Sequence, residues 1–471
     1  MLFNSVGFLI FFPVVTILFF LLQHKYRWIW LLAASCFFYM FFKPVYILIL
    51  AFTIVIDFCA GILIERTNDA TKKKAWLITS LVANIGILAI FKYFNFVNSN
   101  ITGFVTLFNL KNNIPYLNMV LPIGLSFHTF QAMSYTIEVY RGNHKAEKRF
   151  GIYALYVMFY PQLVAGPIER PQNILYQFHT RKYFNYDNAV TGIKLVAWGL
   201  FKKIVIADRL ALYVNEVYGN VGNASSLTMF LAMVFFSLQI YTDFSGYSDI
   251  ARGTAKVMGY DLLINFNEPF KSTSIAEFWR RWHISLSSWL NDYLYKPLSI
   301  SYRNLGKIGI SLALLITFFI SGLWHGAGWT YIAYGVLNGI AIIYELYTKK
   351  IRKKIFSKLP VVINTYLSRL IVWLYLILCW VFFRSENLHK AKTVFAKLFE
   401  FRFSLNFVQL FASQGPLKFA SIIFTLILFY LMSIVSKKLP DRYNTLYIFF
   451  LVFIIVIFGE NVTSQFIYFQ F

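Results

Sequence analysis

Acidic residues are scarce in this chain. It carries 20 Asp and Glu against 44 Lys and Arg over 471 residues, and charged residues make up only 14%. The resulting net charge of +24 would suggest a nucleic-acid partner in a soluble domain. Here the basic residues gather in short loops between apolar runs, so the excess is a topology signal and no nucleic-acid partner is expected. Cysteine is nearly absent. Cys36, Cys59 and Cys379 all lie inside apolar runs, without metal-ligand spacing, which excludes a disulfide framework and a zinc site. There is no Walker-type phosphate loop, no dinucleotide glycine pattern and no Gly-x-Ser-x-Gly elbow, which argues against an ATP-driven pump and a serine hydrolase. No internal repeat, low-complexity tract or flexible linker is visible, so residues 1–471 read as one domain. The opening residues lack a positive n-region, so the first span is expected to be retained.

What the chain has is apolar length. Hydrophobic residues make up 58% and aromatics 20%, more than a soluble domain could bury. Continuous apolar runs recur near 6–22, 28–41, 45–64, 75–97, 119–139, 151–165, 190–207, 226–241, 308–324, 328–346, 367–383, 418–435 and 446–458. The runs do not alternate, so a β-barrel is excluded. The predicted fold is an all-α polytopic membrane protein with about 11–13 transmembrane helices, plus re-entrant and interfacial amphipathic helices. The run 151–165 is short and ends in Gly166-Pro167, so it reads as re-entrant or broken. Basic loops at Lys25 and Arg27, at Arg66 and Lys72 to Lys74, at Arg141 to Arg149, at Lys349 to Lys354 and at Lys437-Lys438 are assigned to the cytoplasm. Both termini then lie outside.

Two histidines draw attention. His325 ends an apolar run in Ser321-Gly322-Leu323-Trp324-His325-Gly326-Ala327-Gly328-Trp329. An ionisable group at membrane depth is costly and tends to line a functional cavity. The neighbouring glycines would let a ligand approach the backbone, and desolvation would keep the imidazole neutral, as a general base requires. A core histidine bonded to a neighbour fits the spacing equally well. His283 lies in Phe278-Trp279-Arg280-Arg281-Trp282-His283. Ser274 and Glu277 form a capping-box pattern, and the periodicity predicts one amphipathic helix running on to Tyr293, with His283 at the margin of its apolar arc. Spacing alone leaves open an interfacial helix with an incidental histidine.

The long stretch from Tyr241 to Tyr302 has no full span and is the expected seat of function. Asp243 and Asp249 could line a polar entry or pair with Arg252 and Arg280. The segments Asn265 to Phe270 and Gly166 to Pro171 are turn-like and read as structural. His128, Gln131, Tyr135 and Glu138 fall on one side of the fifth span. They would serve interhelical hydrogen bonding or line a tunnel. A proton relay through His128, Glu138, Asp243 and His325 would suit a transporter or flippase, but the paired broken helices expected of one are missing.

The segments Tyr241 to Asp249, Phe278 to Leu286, Gly322 to Gly326 and Gly166 to Arg170, with the opening Met1 to Ser5 and the closing Phe466 to Phe471, resemble the membrane-bound O-acyltransferase family. The likeness is to its bacterial branch of alginate O-acetyltransferase membrane subunits, and its core motifs lie within 120–346. The resemblance implies a ring of helices around a catalytic tunnel, with His325 as the essential residue and His283 as the second catalytic position. Trp324, Trp279, Trp282, Arg280, Asp243, Tyr247 and Gln131 are expected to line the tunnel or touch substrate, with no metal and no tightly bound cofactor. It further implies a bacterial cytoplasmic membrane enzyme. A small acyl group, acetyl first, would pass from a cytoplasmic thioester such as acetyl-CoA toward a cell-envelope polysaccharide or an extracytoplasmic acetyltransferase partner. D-alanyl transfer to teichoic acid and peptidoglycan O-acetylation are the alternatives.

Overall fold

In the computed structural model, residues 1–118, 121–401, 415–460 and 465–467 are described. Residues 119 and 120 of the predicted fifth run, and 468–471 of the closing motif, lie outside that set. The described secondary structure is helical throughout. Among the described residues, seven helical segments are long and apolar enough to cross a membrane: Pro44–Arg66, Ala70–Thr106, Ser226–Val257, Arg303–His325, Val361–Arg384, Phe419–Lys438 and Asp441–Phe458. The chain is therefore a multi-pass, all-α membrane protein.

Not every apolar run makes such a helix. Run 6–22 folds as α1 (Val6–Leu21), with Pro13 inside it. Run 28–41 falls in α2 (His24–Met40). The fifth run yields α6 (Leu125–Tyr140), and run 151–165 yields only the nine-residue α7 (Phe150–Met158), far short of the roughly twenty residues a bilayer needs. Run 190–207 forms α9 (Tyr186–Leu200) and then widens into a π turn over Phe201–Ala207.

Packing divides the chain into two units. The first holds Met1–Ala197 and Tyr247–Leu263. Its interior is tied by polar groups across apolar helices. Asp57 on α3 (Ile47–Arg66) accepts from Ser80 Oγ at 2.6 Å and Asn84 Nδ2 at 2.8 Å on α4 (Ala70–Leu88), and Ser80 Oγ also reaches Thr136 Oγ1 of α6 at 3.0 Å. Within hydrocarbon such bonds take the place of a hydrophobic driving force between helices. Nearly every α6 side chain is buried. Glu169, in the segment after α7, is buried, and its Oε1 accepts from the Leu263 backbone N–H at 2.6 Å. It is a structural bracket, as the sequence suggests.

The second unit holds Trp198–Gly246 and Ile264–Ile467. Its central feature is the hairpin of α15 (Gly306–His325) and α16 (Trp329–Phe356). The two axes come together because side chains are missing at the crossing. A Cβ on Gly335 would stand 2.2 Å from Phe318 O, and one on Gly322 would stand 2.4 Å from Tyr331 O. Gly322, three residues before His325, therefore serves helix packing, while a Cβ on Gly328 would meet nothing closer than 3.5 Å. At Gly326 a Cβ would run into the Tyr331 ring.

Candidate active site

His325 is the last residue of α15, and Gly326 to Gly328 carry the chain across to α16. Its ring is enclosed by aromatics. Trp324 lies 5.1 Å away, Phe383 of α17 (Val361–Arg384) 5.2 Å and Tyr334 of α16 5.9 Å, centroid to centroid, all near edge-on. Only 2% of His325 is exposed.

The predicted amphipathic helix is not continuous. It stops at Arg281 and restarts at Ile284, giving α12 (Ile275–Arg281) and α13 (Ile284–Leu290). Ser274 Oγ caps α12 by accepting from Glu277 N at 3.0 Å, as the capping pattern implies. The Glu277 carboxylate reaches back to Thr273, whose N–H and hydroxyl both donate at 2.9 Å. These donors, with Arg281, hold the carboxyl below its usual range against the desolvation that raises it most.

At the break stands His283, with φ 44° and ψ 53°. A left-handed residue that is not glycine costs roughly 1–2 kcal/mol, and such strain concentrates at functional sites. Asn265 holds the turn. Its carbonyl accepts from Ile284 N at 2.9 Å, and its Oδ1 accepts from Ser285 N at 3.1 Å and Ser285 Oγ at 2.7 Å. The turn drives the imidazole inward instead of leaving it at the margin of an apolar arc. His283 is fully buried, edge-on to Phe244 at 4.7 Å and 5.7 Å from Trp324. Trp324 thus neighbours both imidazoles. Burial first, and then the charge of His325, push the His283 pKa well down and keep the ring neutral.

A cavity of about 630 Å³, within the size range of small-molecule sites, is lined by residues close in sequence to each histidine but by neither imidazole. Trp279, Arg280, Ile284, Ser288, Thr317 and Ser321 are among its lining residues. Ile284 follows His283, and Ser321 lies one turn before His325. Trp279 is fixed by its indole N–H, which donates to Asn338 Oδ1 at 3.2 Å. Trp282 serves another purpose: it is buried against Phe278, Phe266 and Trp380 at 5.0–5.5 Å and supports the turn from behind.

The other residues expected to line a tunnel have their own partners. Asp243 does not pair with Arg252 or Arg280. It meets Lys203 at 2.7 Å, Lys203 meets Asp208 at 2.9 Å, and the second Asp243 oxygen accepts from Ile467 N at 2.8 Å. All three charged side chains are buried. Asp249 does pair with Arg252, at 3.5 Å. Gln131 belongs to the first unit, where its Nε2 donates to Tyr156 O at 2.5 Å. Tyr247, also in that unit, stacks on Phe3 at 4.7 Å. His128 Nε2 meets Thr53 Oγ1 at 2.7 Å, Tyr135 OH accepts from Glu147 N at 2.9 Å, and Glu138 accepts from Asn143 Nδ2 at 3.0 Å. These contacts match the hydrogen-bonding reading of that helix face. Sequence reasoning missed Asn265 as a clamp, Phe244, Tyr334 and Phe383 as ring neighbours, and Lys203 as the partner of Asp243.

Both histidines fall inside residues 149–388, which match the model of the MBOAT, membrane-bound O-acyltransferase family. The chain belongs to this family. Among its relatives, the peptidoglycan O-acetyltransferase of Helicobacter pylori is 37% identical over 402 residues, covering 78% of this chain and 72% of the relative. The Pseudomonas aeruginosa protein named "Probable alginate O-acetylase AlgI" is 36% identical over 412 residues, covering 85% and 75%. The teichoic acid D-alanyltransferase of Bacillus subtilis is 28% identical over 247 residues, covering 51% and 62%. As a member of the membrane-bound O-acyltransferases, the chain is an O-acyltransferase.

Proposed function

We propose that this enzyme moves an acetyl group from a cytoplasmic thioester, acetyl-CoA, toward an acceptor on the far side of a bacterial cytoplasmic membrane. The acceptor is a cell-envelope polysaccharide, reached directly or through an extracytoplasmic acetyltransferase. The observation that carries this reading is the pairing of two buried imidazoles across Trp324. Acetyl is favoured over D-alanyl because the named O-acetyl relatives match 78–85% of the chain and the D-alanyltransferase only 51%.

In the proposed reaction His325 takes the proton of an acceptor hydroxyl. The oxygen attacks the thioester carbonyl, the C–S bond breaks, and the thiolate leaves with the proton returned from the imidazolium. In this reading the neutral His283 ring donates a hydrogen bond to the developing oxyanion, a contribution on the order of 2.7–4 kcal/mol for such donors. Desolvation by the surrounding aromatics keeps water away from the thioester. The donor is a co-substrate, and no tightly bound cofactor or metal takes part. Mass spectrometry of envelope glycans from cells with and without the protein tests the assignment. A polysaccharide O-acetyl group that disappears with the protein supports it. Unchanged acetylation together with lost D-alanyl ester would select the other acyl group.

A further inference from the structure

The second unit carries another cavity, of about 820 Å³, lined by neither histidine. It lies along α16 and α17, and Thr273 and Ile275 at the start of α12 also line it. Its walls are apolar, and several of them face outward: Ile340 is 50% exposed, Tyr344 59% and Ile371 49%. Its mouth is basic, formed by Lys349, Arg352 and Lys353 in the last turns of α16. Arg352 is laid back along the helix, with Nε donating to Thr348 Oγ1 at 3.1 Å and Nη2 to Glu345 O at 2.9 Å. The acidic side chain in the lining, Glu345, turns away from an incoming anion. Its oxygens accept from the first-turn N–H groups of α12, Ile275 at 2.7 Å and Ala276 at 3.1 Å.

We infer that this groove binds an anionic phospholipid, with its phosphate at Lys349, Arg352 and Lys353 and an acyl chain along Ile340, Tyr344 and Ile371. Two features select this occupant. The apolar wall belongs partly to α17, a helix of membrane-spanning length, so its outward face meets lipid. The cationic cluster stands at the end of that wall, where a headgroup lies, and basic pockets between membrane helices are suited to anionic headgroups. A basic loop set only by topology would have cations without the groove. A soluble phosphate would gain nothing from the wall. The lipid also bears on α12, because Glu345, on the α16 wall of the groove, holds the first turn of the helix that leads to His283.

The full chain, reconstituted in nanodiscs, is titrated with headgroup-labelled phosphatidylglycerol and with labelled phosphatidylcholine. The expected result is preferential retention of phosphatidylglycerol. Combined Lys349→Gln, Arg352→Gln and Lys353→Gln should weaken it at least tenfold, given that each basic residue near the surface contributes about fivefold. Ile371→Trp, which fills the groove and leaves its charge alone, should weaken binding too. Combined Lys72→Gln, Lys73→Gln and Lys74→Gln, which removes the same charge from another loop, should not. Equal retention of the two lipids overturns the inference. So does equal loss in the two charge-depleted proteins, or displacement of the lipid by millimolar inorganic phosphate or coenzyme A, which would make this an anion site open to water.

Discussion

The chemistry of single residues decides how the two histidines act. With His325 as the base, His325→Ala should lower transfer by about 10²–10⁴ while the protein still folds. Asn265 makes a sharper test of the turn at His283. Asn265→Ala removes the acceptor of two bonds from Ser285. It should destabilise the protein by roughly 1–3 kcal/mol, the penalty of leaving buried donors unmet. Transfer should fall more than that loss of stability explains, because the left-handed turn relaxes and the ring swings from Phe244. Assay rate and unfolding temperature measured on the same preparation check this; a rate that simply follows stability would count against the clamp. A third prediction concerns pH. Burial raises the Glu169 carboxyl from 4.5 to about 7, outweighing its hydrogen bonds and nearby arginines. A raised acid favours folding below its unfolded pKa, and that contribution is lost as pH climbs through the 4.5 to 7 window. Relative to Glu169→Gln, the wild-type melting temperature should therefore fall as pH rises through that window and stay level above it.

Helices set the next level. The crossing of α15 and α16 depends on glycine, so Gly335→Leu must push against Phe318 O and the Gly322 backbone. Overpacking of this kind costs about 1–3 kcal/mol, and because His325 ends α15 it should also lower transfer. The buried Lys203 group is stiffer. Lys203→Met leaves Asp208 and Asp243 without their cation and should destabilise by about 3–5 kcal/mol, with Lys203→Arg the milder change. Thermal unfolding in detergent reads both, and an unchanged melting temperature for Lys203→Met would show that the carboxylates find another partner. Asp243 precedes Phe244, which touches the His283 ring at 4.7 Å. The buried ion group is therefore one residue in sequence from a neighbour of the His283 ring.

For the whole molecule, the apolar runs made the helical membrane fold legible, and the two histidine motifs made the family legible. The break at His283 was not. Nothing in Phe278 to Leu286 stops a helix, and the amphipathic period runs straight through. The turn is set by Asn265, which is remote in sequence, and no local pattern records such a bond. The run 151–165 could be read as too short to cross, because its length and Gly166-Pro167 are local facts. Lys203 was hidden inside an apolar run, although a lysine pair there with Asp208 close behind is the mark of a buried ion cluster. Gly322 was visible, but its packing role was not, since helix packing and ligand access ask for the same small residue. The proposed chemistry rests on His325 taking the proton of the hydroxyl that attacks the thioester. In proteoliposomes loaded with labelled acetyl-CoA and supplied outside with an envelope polysaccharide, wild-type protein should pass label to the acceptor and a folded His325→Ala protein should not. Transfer by that variant at the wild-type rate would contradict the account.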